Sequence, residues 1–169
     1  MVRVGRVTGR FQVVPAAYVL LLRGDGARTE VLLQLRAGTG YRDGYWAAAA
    51  AGHVEQGEDV FAAAVRETRE ELGVVVDRDD LVAVTAMHRT GGTGLAVDER
   101  VDFFLSCRRW SGEPRAAESG KTAGLDWFPL AALPTPTVPH ERFVLDALRT
   151  GSIVPIVSHG FAAADDAGH

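Results

Sequence analysis

With 169 residues, 47% hydrophobic and 24% charged, the chain has the make-up of one ordinary globular domain with a sizeable core. A net charge of −4 excludes a general basic surface for gripping a nucleic-acid polymer, and a single cysteine, Cys107, excludes an internal disulfide and suits a reducing compartment. No long apolar stretch follows the N-terminal arginines, so neither a signal peptide nor a membrane span is expected, and a cytoplasmic location is the default.

Residues 1–12 are polar and glycine-interrupted, with Arg3, Arg6 and Arg10, and read as a weakly paired edge segment. Residues 16–22 are continuously apolar, as in a strand buried on both faces. Gly24-Asp25-Gly26 supplies turn chemistry, and residues 31–35 return as a second strand that Arg36 ends. Residues 38–44 form a loop, and Tyr45-Trp46 leads into the alanines of 47–51, which propensity alone would make helical.

Residues 52–74 organise the rest. On a helix, at roughly 100° per residue, Phe61, Ala64, Val65, Thr68 and Leu72 share one stripe. Glu67, Glu70 and Glu71, related as i, i+3 and i+4, share the neighbouring one. Three carboxylates so placed repel one another unless positive charge sits among them. Arg66 and Arg69 offset part of that, with Arg66 expected at the far edge of the acidic stripe. A hard divalent cation fits better, since Mg²⁺ takes oxygen ligands and binds substrate phosphates too. A solvated helix face with Arg–Glu pairs is the plain alternative. It leaves the glycine-bounded loop ahead of the helix unexplained.

Beyond Gly73, placed as a helix cap, residues 77–80 form a polar turn and residues 81–88 a strand. Residues 90–94 are glycine-rich but lack the lysine of a P-loop. A strand over 101–107 leads through Trp110-Ser111-Gly112 to an exposed loop, 113–124, and a short strand over 125–128. A helical turn at 130–133 and a proline-rich link precede an amphipathic helix over 140–150, with Val144, Leu145 and Leu148 apolar and Gly151 its stop. The domain is expected to span 1–157, with 158–169 a disordered tail. Cys107 reads as a strand residue and His53 as a residue of the loop ahead of the helix, and His88 and His140 lack partners at metal or triad spacing.

Gly52, Glu58, Arg66, Glu67, Glu70, Glu71, Gly73 and Val74 together resemble the Nudix box of the MutT-like hydrolases, G-x5-E-x7-R-E-U-x-E-E-x-G-U. Thr68 departs from it, standing where a bulky apolar residue (U) is usual. The resemblance implies an α/β fold, an α/β/α sandwich with a mixed sheet between helices, and hence extended rather than helical structure over 47–51. It implies hydrolysis of a nucleoside diphosphate linked to another moiety. The leading case is a (d)NTP giving NMP and pyrophosphate, with ADP-ribose, a nucleotide sugar, or a non-catalytic nucleotide sensor as alternatives. By motif position, Glu67, Glu70, Glu71 and the carbonyl of Gly52 would bind Mg²⁺, or Mn²⁺. Arg66 would orient a box glutamate, and Glu58 would fix the loop or join the metal network. The general base stays open among Glu70, Glu58 and Glu118. Glu118 enters because it follows the Trp110–Pro114 turn and precedes Asp126-Trp127, an order similar to that of some dNTP-hydrolysing members; there it would also be a metal ligand. Arg36 and Trp46 are candidate substrate ligands, although core packing is the favoured fate of Trp46. The expected partner is a small nucleoside diphosphate derivative, not a nucleic-acid polymer or a membrane, and a homodimer stays open.

Overall fold

The structure is a computed structural model that describes residues 11–117 and 120–161. Its sheet is built around β1 (Val14–Arg23), in which every residue from Ala16 to Leu22 is buried. Both faces of this strand are covered, which is why it is continuously apolar rather than alternating. Ala16, Tyr18, Leu20 and Leu22 pack into one core, and Ala17, Val19 and Leu21 into the other, following the two-residue period of a strand. Helix α1 (Val60–Leu72) covers the odd-numbered face through Ala63, Ala64 and Leu72. Helix α2 (Pro139–Thr150) covers the even-numbered face through Val144 and Leu145. The result is a mixed sheet between two helices, the α/β/α sandwich. Among the described residues, no helix is long and apolar enough to cross a membrane.

The neighbours of β1 decide where a cleft can open. On one side β1 runs parallel to β6 (Glu99–Cys107), followed by β5 (Leu81–Thr90) and then β8 (Ile156–His159). On the other side, residues Ala16 to Val19 pair with β4 (Ala50–His53), whereas β2 (Glu30–Arg36) meets β1 only at Leu22 and Arg23. β2 continues instead with β3 (Trp46–Ala48) and β7 (Thr122–Pro129). The sheet therefore parts between β4 and β2.

Several boundaries differ from expectation for tertiary reasons. β7 begins at Thr122, well inside the expected loop, because Thr122 pairs with Arg36 and donates its hydroxyl to Gln34 Oε1 at 2.6 Å. Ser158 and His159, expected in a disordered tail, belong to β8 and pair with His88 and Arg89. Ile156 and Val157 favour a strand, and the edge of β5 carries the pairing on through Ser158 and His159. Residues 1–10 and 162–169 lie outside the described residues. Cys107 is buried in β6, and burial pushes its thiol up. Thr68 is buried as well, its hydroxyl donating to Ala64 O at 2.7 Å, which satisfies the polar atom and leaves the methyl to pack.

Candidate active site

Asp59 starts α1, its carboxylate accepting the Phe61 and Ala62 N–H groups at 2.9 Å. Gly73 ends the helix in the left-handed conformation, φ 67°. Between these caps Arg66 occupies the centre of the acidic cluster, not its far edge. Its Nη2 donates to Glu58 Oε1 at 2.7 Å and its Nε to Glu58 Oε2 at 3.2 Å. Its Nη1 donates to Glu67 at 2.6 Å and to Glu70 at 3.1 Å. A further bond, Nη2 to His53 O at 3.0 Å, ties in the preceding loop. The Cα positions put Arg66 beside the acidic stripe, but its long side chain and planar fork reach back over it. Hydrogen bonding, to Glu58 first, raises the Arg66 pKa above its ordinary value. In return Arg66, and then the Glu55 N–H, hold Glu58 below the usual carboxylate range.

Gly52 is required by Glu67. A Cβ at residue 52 would stand 2.0 Å from Glu67 Oε1, so only glycine lets that carboxylate lie on the loop backbone. Next to it, the Ala51 N–H donates to Glu71 Oε2 at 3.0 Å. Among the described residues, no three His, Cys, Asp or Glu side chains converge as a ready metal cage. Arg66 draws Glu67 and Glu70 to itself while Glu71 sits on Ala51. The donor set nevertheless fits a hard divalent cation: Glu58, Glu67, Glu70 and Glu71 bring only hard oxygens, with one guanidinium among them. Glu70, with 55% of its side chain exposed and one 3.1 Å bond to Arg66, is the least committed of the three Arg66 partners.

The parted sheet opens into a two-lobed cleft. The larger lobe, about 410 Å³, and a second of about 400 Å³ share Gln34, Arg36, Ala51 and Glu71. Arg36 stands at this junction, held by Nε to Tyr41 O at 2.9 Å and by Nη2 to Thr39 Oγ1 at 3.1 Å. Lys121 lines the second lobe. Trp46, a candidate ligand, is not brought to either lobe. Its indole packs edge-on to Phe128, centroids 4.6 Å apart, in the core under α2. Glu118 lies outside the described residues; Ala117 before it donates its N–H to Glu71 O at 2.9 Å, and Glu113 is exposed.

The floor of the larger lobe is a polar cluster that sequence reasoning missed. Arg89 and Arg100 face each other across β5 and β6, and both bond Asp102, which has no exposed surface, at 2.7 and 3.3 Å. Like charges so opposed repel, and the buried carboxylate offsets that repulsion. Arg100 also donates to His53 Nε2 at 2.7 Å. His140 and Glu141, from the first turn of α2, complete the floor beside Tyr18, whose hydroxyl is 3.4 Å from His140 Nε2. Burial, and next Arg89, depress His140 to about 2, so it is neutral; burial raises Glu141 to about 7. The available signal was helical spacing: His140 and Glu141 precede Val144 and Leu145 by one turn on the buried face.

The NUDIX domain profile matches residues 13–148. Among solved structures, a MutT NUDIX hydrolase from Burkholderia pseudomallei is 28% identical, covering 80% of this chain and 97% of its own, with a TM-score of 0.68. A NUDIX hydrolase from Nitrosomonas europaea shares the fold at 21% identity, with 85% and 93% covered and a TM-score of 0.62. The NUDIX domain of Shewanella oneidensis NrtR, complexed with ADP ribose, shares it at 14% identity, with 83% and 89% covered and a TM-score of 0.64. Comparison with curated proteins finds no match. The profile takes in α1, all but the last two residues of α2 and the whole glutamate–arginine clamp, and on that ground the chain belongs to the NUDIX family and is a Nudix hydrolase.

Proposed function

We propose that the protein is a single-domain, metal-dependent nucleotide pyrophosphatase of the cytoplasm. It cleaves a nucleoside diphosphate linked to another moiety, with (d)NTP hydrolysis to NMP and pyrophosphate as the leading case. One observation carries this reading: Arg66 ties the box loop to Glu67 and Glu70, beside a cleft lined by Gly52, Glu71 and Arg36. Nudix hydrolases generally use a divalent metal. Here Glu67, Glu70, Glu71 and the Gly52 carbonyl would hold Mg²⁺, or Mn²⁺, which neutralises charge on the diphosphate oxygens when bound.

The remaining work falls to the chain itself. Arg36, at the junction of the lobes, binds substrate phosphate, a task suited to its planar fork. In hydrolysis the oxygen of water bonds to phosphorus, the bridging P–O bond breaks, and a carboxylate takes the water's proton. Of the three candidates, Glu70 suits that role best among the described residues. Glu58 is bonded twice by Arg66 and held below the usual carboxylate range, which makes it the weaker base. Glu118 stays a proposed ligand or second base, supported by the tie between Ala117 and Glu71.

A nucleotide panel with Mg²⁺ or Mn²⁺ and a phosphate-release readout tests the proposal. (d)NTPs should yield NMP and pyrophosphate. Turnover confined to ADP-ribose or a nucleotide sugar would reassign the substrate, and no turnover of any nucleotide would contradict the proposal.

A further inference from the structure

The cleft floor carries polar atoms that the box chemistry does not use. Glu141 is 4% exposed, and its Oε2 accepts the Ala48 N–H. Its Oε1 stands 3.9 Å from His140 Nε2, beyond hydrogen-bonding reach. His140 Nε2 is also 3.9 Å from Asp102 Oδ2, so a neutral imidazole separates the two carboxylates without bonding either. Arg89 gives Nε to Asp102, and among the described residues its Nη groups donate no hydrogen bond. Arg100, by contrast, is already engaged with His53. Among the described residues, the one fully sealed side-chain polar atom without a partner is His88 Nε2. Glu141 Oε1 and the Arg89 Nη groups therefore keep surface of their own, and both side chains line the larger lobe. Nearly buried groups of this kind are costly to leave unpaired, which favours a ligand that pairs both.

We propose that Glu141 and Arg89 read the hydrogen-bonding edge of a nucleobase. Glu141 accepts from an exocyclic amino group, and Arg89 donates to a ring nitrogen or carbonyl on the same edge. The inference rests on the nucleotide reading above and narrows it to nucleotides of amino-bearing bases. Cytosine and adenine each carry an amino donor with acceptors close by, whereas uracil and thymine put a carbonyl where cytosine has its amino group. A carboxylate facing that carbonyl oxygen repels it. The charged and titratable groups around Glu141 come from every neighbouring element: Arg36 on β2, Arg89 on β5, Asp102 on β6, Tyr18 on β1 and His140 on α2. The Ala48 N–H fixes the carboxylate from β3.

The test is calorimetric titration of the full chain, in chelator, with matched nucleotides that differ by amino against carbonyl: CMP with UMP, and AMP with IMP. The tighter-binding amino nucleotide should exceed its carbonyl counterpart by about tenfold or more, the discrimination one good hydrogen-bonded pair provides. Glu141→Gln keeps an oxygen for the Ala48 N–H, and should bring that ratio to about threefold or less. A second readout needs no variant. Burial holds Glu141 at about 7, so the wild-type ratio should rise from pH 6 to pH 8 as the carboxylate ionises. Phosphate ionisation is common to both members of a pair and cancels. Equal affinities within each pair at pH 8, a ratio unchanged in Glu141→Gln, or no nucleotide binding would overturn the inference. If the variant fails to fold, the wild-type ratio and its pH dependence decide. Hydrolysis without amino discrimination would spare the proposed function and remove this inference. Discrimination in chelator without any turnover would do the reverse.

Discussion

Along the α1 side of the cleft, which we term its mouth, glutamates crowd one partly exposed arginine; at its floor, two arginines enclose one aspartate that has no exposed surface. Both clusters are carboxylate–guanidinium networks, yet their charge is arranged in opposite ways. Acid is in excess at the mouth and reaches water, as the 55% exposure of the Glu70 side chain indicates. Such a surplus can be completed by a cation that arrives with substrate. The floor is paired within the fold, because two guanidiniums so deeply set would be costly without Asp102. The mouth is thus built to change partners, and the Asp102 cluster of the floor to keep them. Mutations at the mouth should change chemistry at nearly constant stability, and mutations at the floor should change stability first.

The sharpest way to break this contrast is Asp102→Ala. It leaves two opposed arginines without their buried partner and should cost about 3–5 kcal/mol, read from denaturant midpoints. An unchanged midpoint would mean the floor is no more committed than the mouth. Next in size is Gly52→Val. The added Cβ meets the mobile end of Glu67 rather than backbone, so that carboxylate must leave the loop. Mn²⁺ affinity should fall about tenfold or more, while folding loses less. Calorimetric titration with Mn²⁺ decides, and equal affinity in the two proteins would remove Gly52 from the metal site. The smallest expected effect concerns Glu118. Glu118→Gln should lower kcat by something on the order of fivefold, more than it raises KM, whereas Glu113→Gln, at an exposed position, should do neither. Matching, near-wild-type kcat in both would exclude Glu118 from the chemistry.

The mouth is legible in the sequence because its residues lie between Gly52 and Glu71 at fixed spacing across one loop and one helix, where motif and periodicity agree. The floor is not, because Tyr18, Arg89, Asp102 and Glu141 come from four different elements. Its traces are charges on buried faces. Asp102 precedes Phe104 by two residues in β6, and Glu141 precedes Leu145 by four in α2. Searching His140 for metal or triad spacing overlooks that signal. The direction of the Arg66 side chain was equally hidden, since helical angles locate Cα atoms and not the reach of a long side chain. Strands β3 and β4 run through alanines whose propensity favours helix, and pairing with β2 and β1 overrides it. β8 runs on past Ile156 and Val157 to Ser158 and His159 because these pair with the edge of β5, which local pattern does not announce.

The central claim is that the exposed carboxylates of the mouth serve a divalent cation on which turnover depends. The most direct measurement is kcat on the best nucleotide for wild type, Glu70→Gln and Glu71→Gln, each with Mg²⁺ and again in chelator, with denaturant midpoints as the folding control. Each variant should lose about 100-fold or more at an almost unchanged midpoint, and chelator should abolish turnover in wild type. Wild-type turnover in both variants, or activity that survives chelation, would contradict the account.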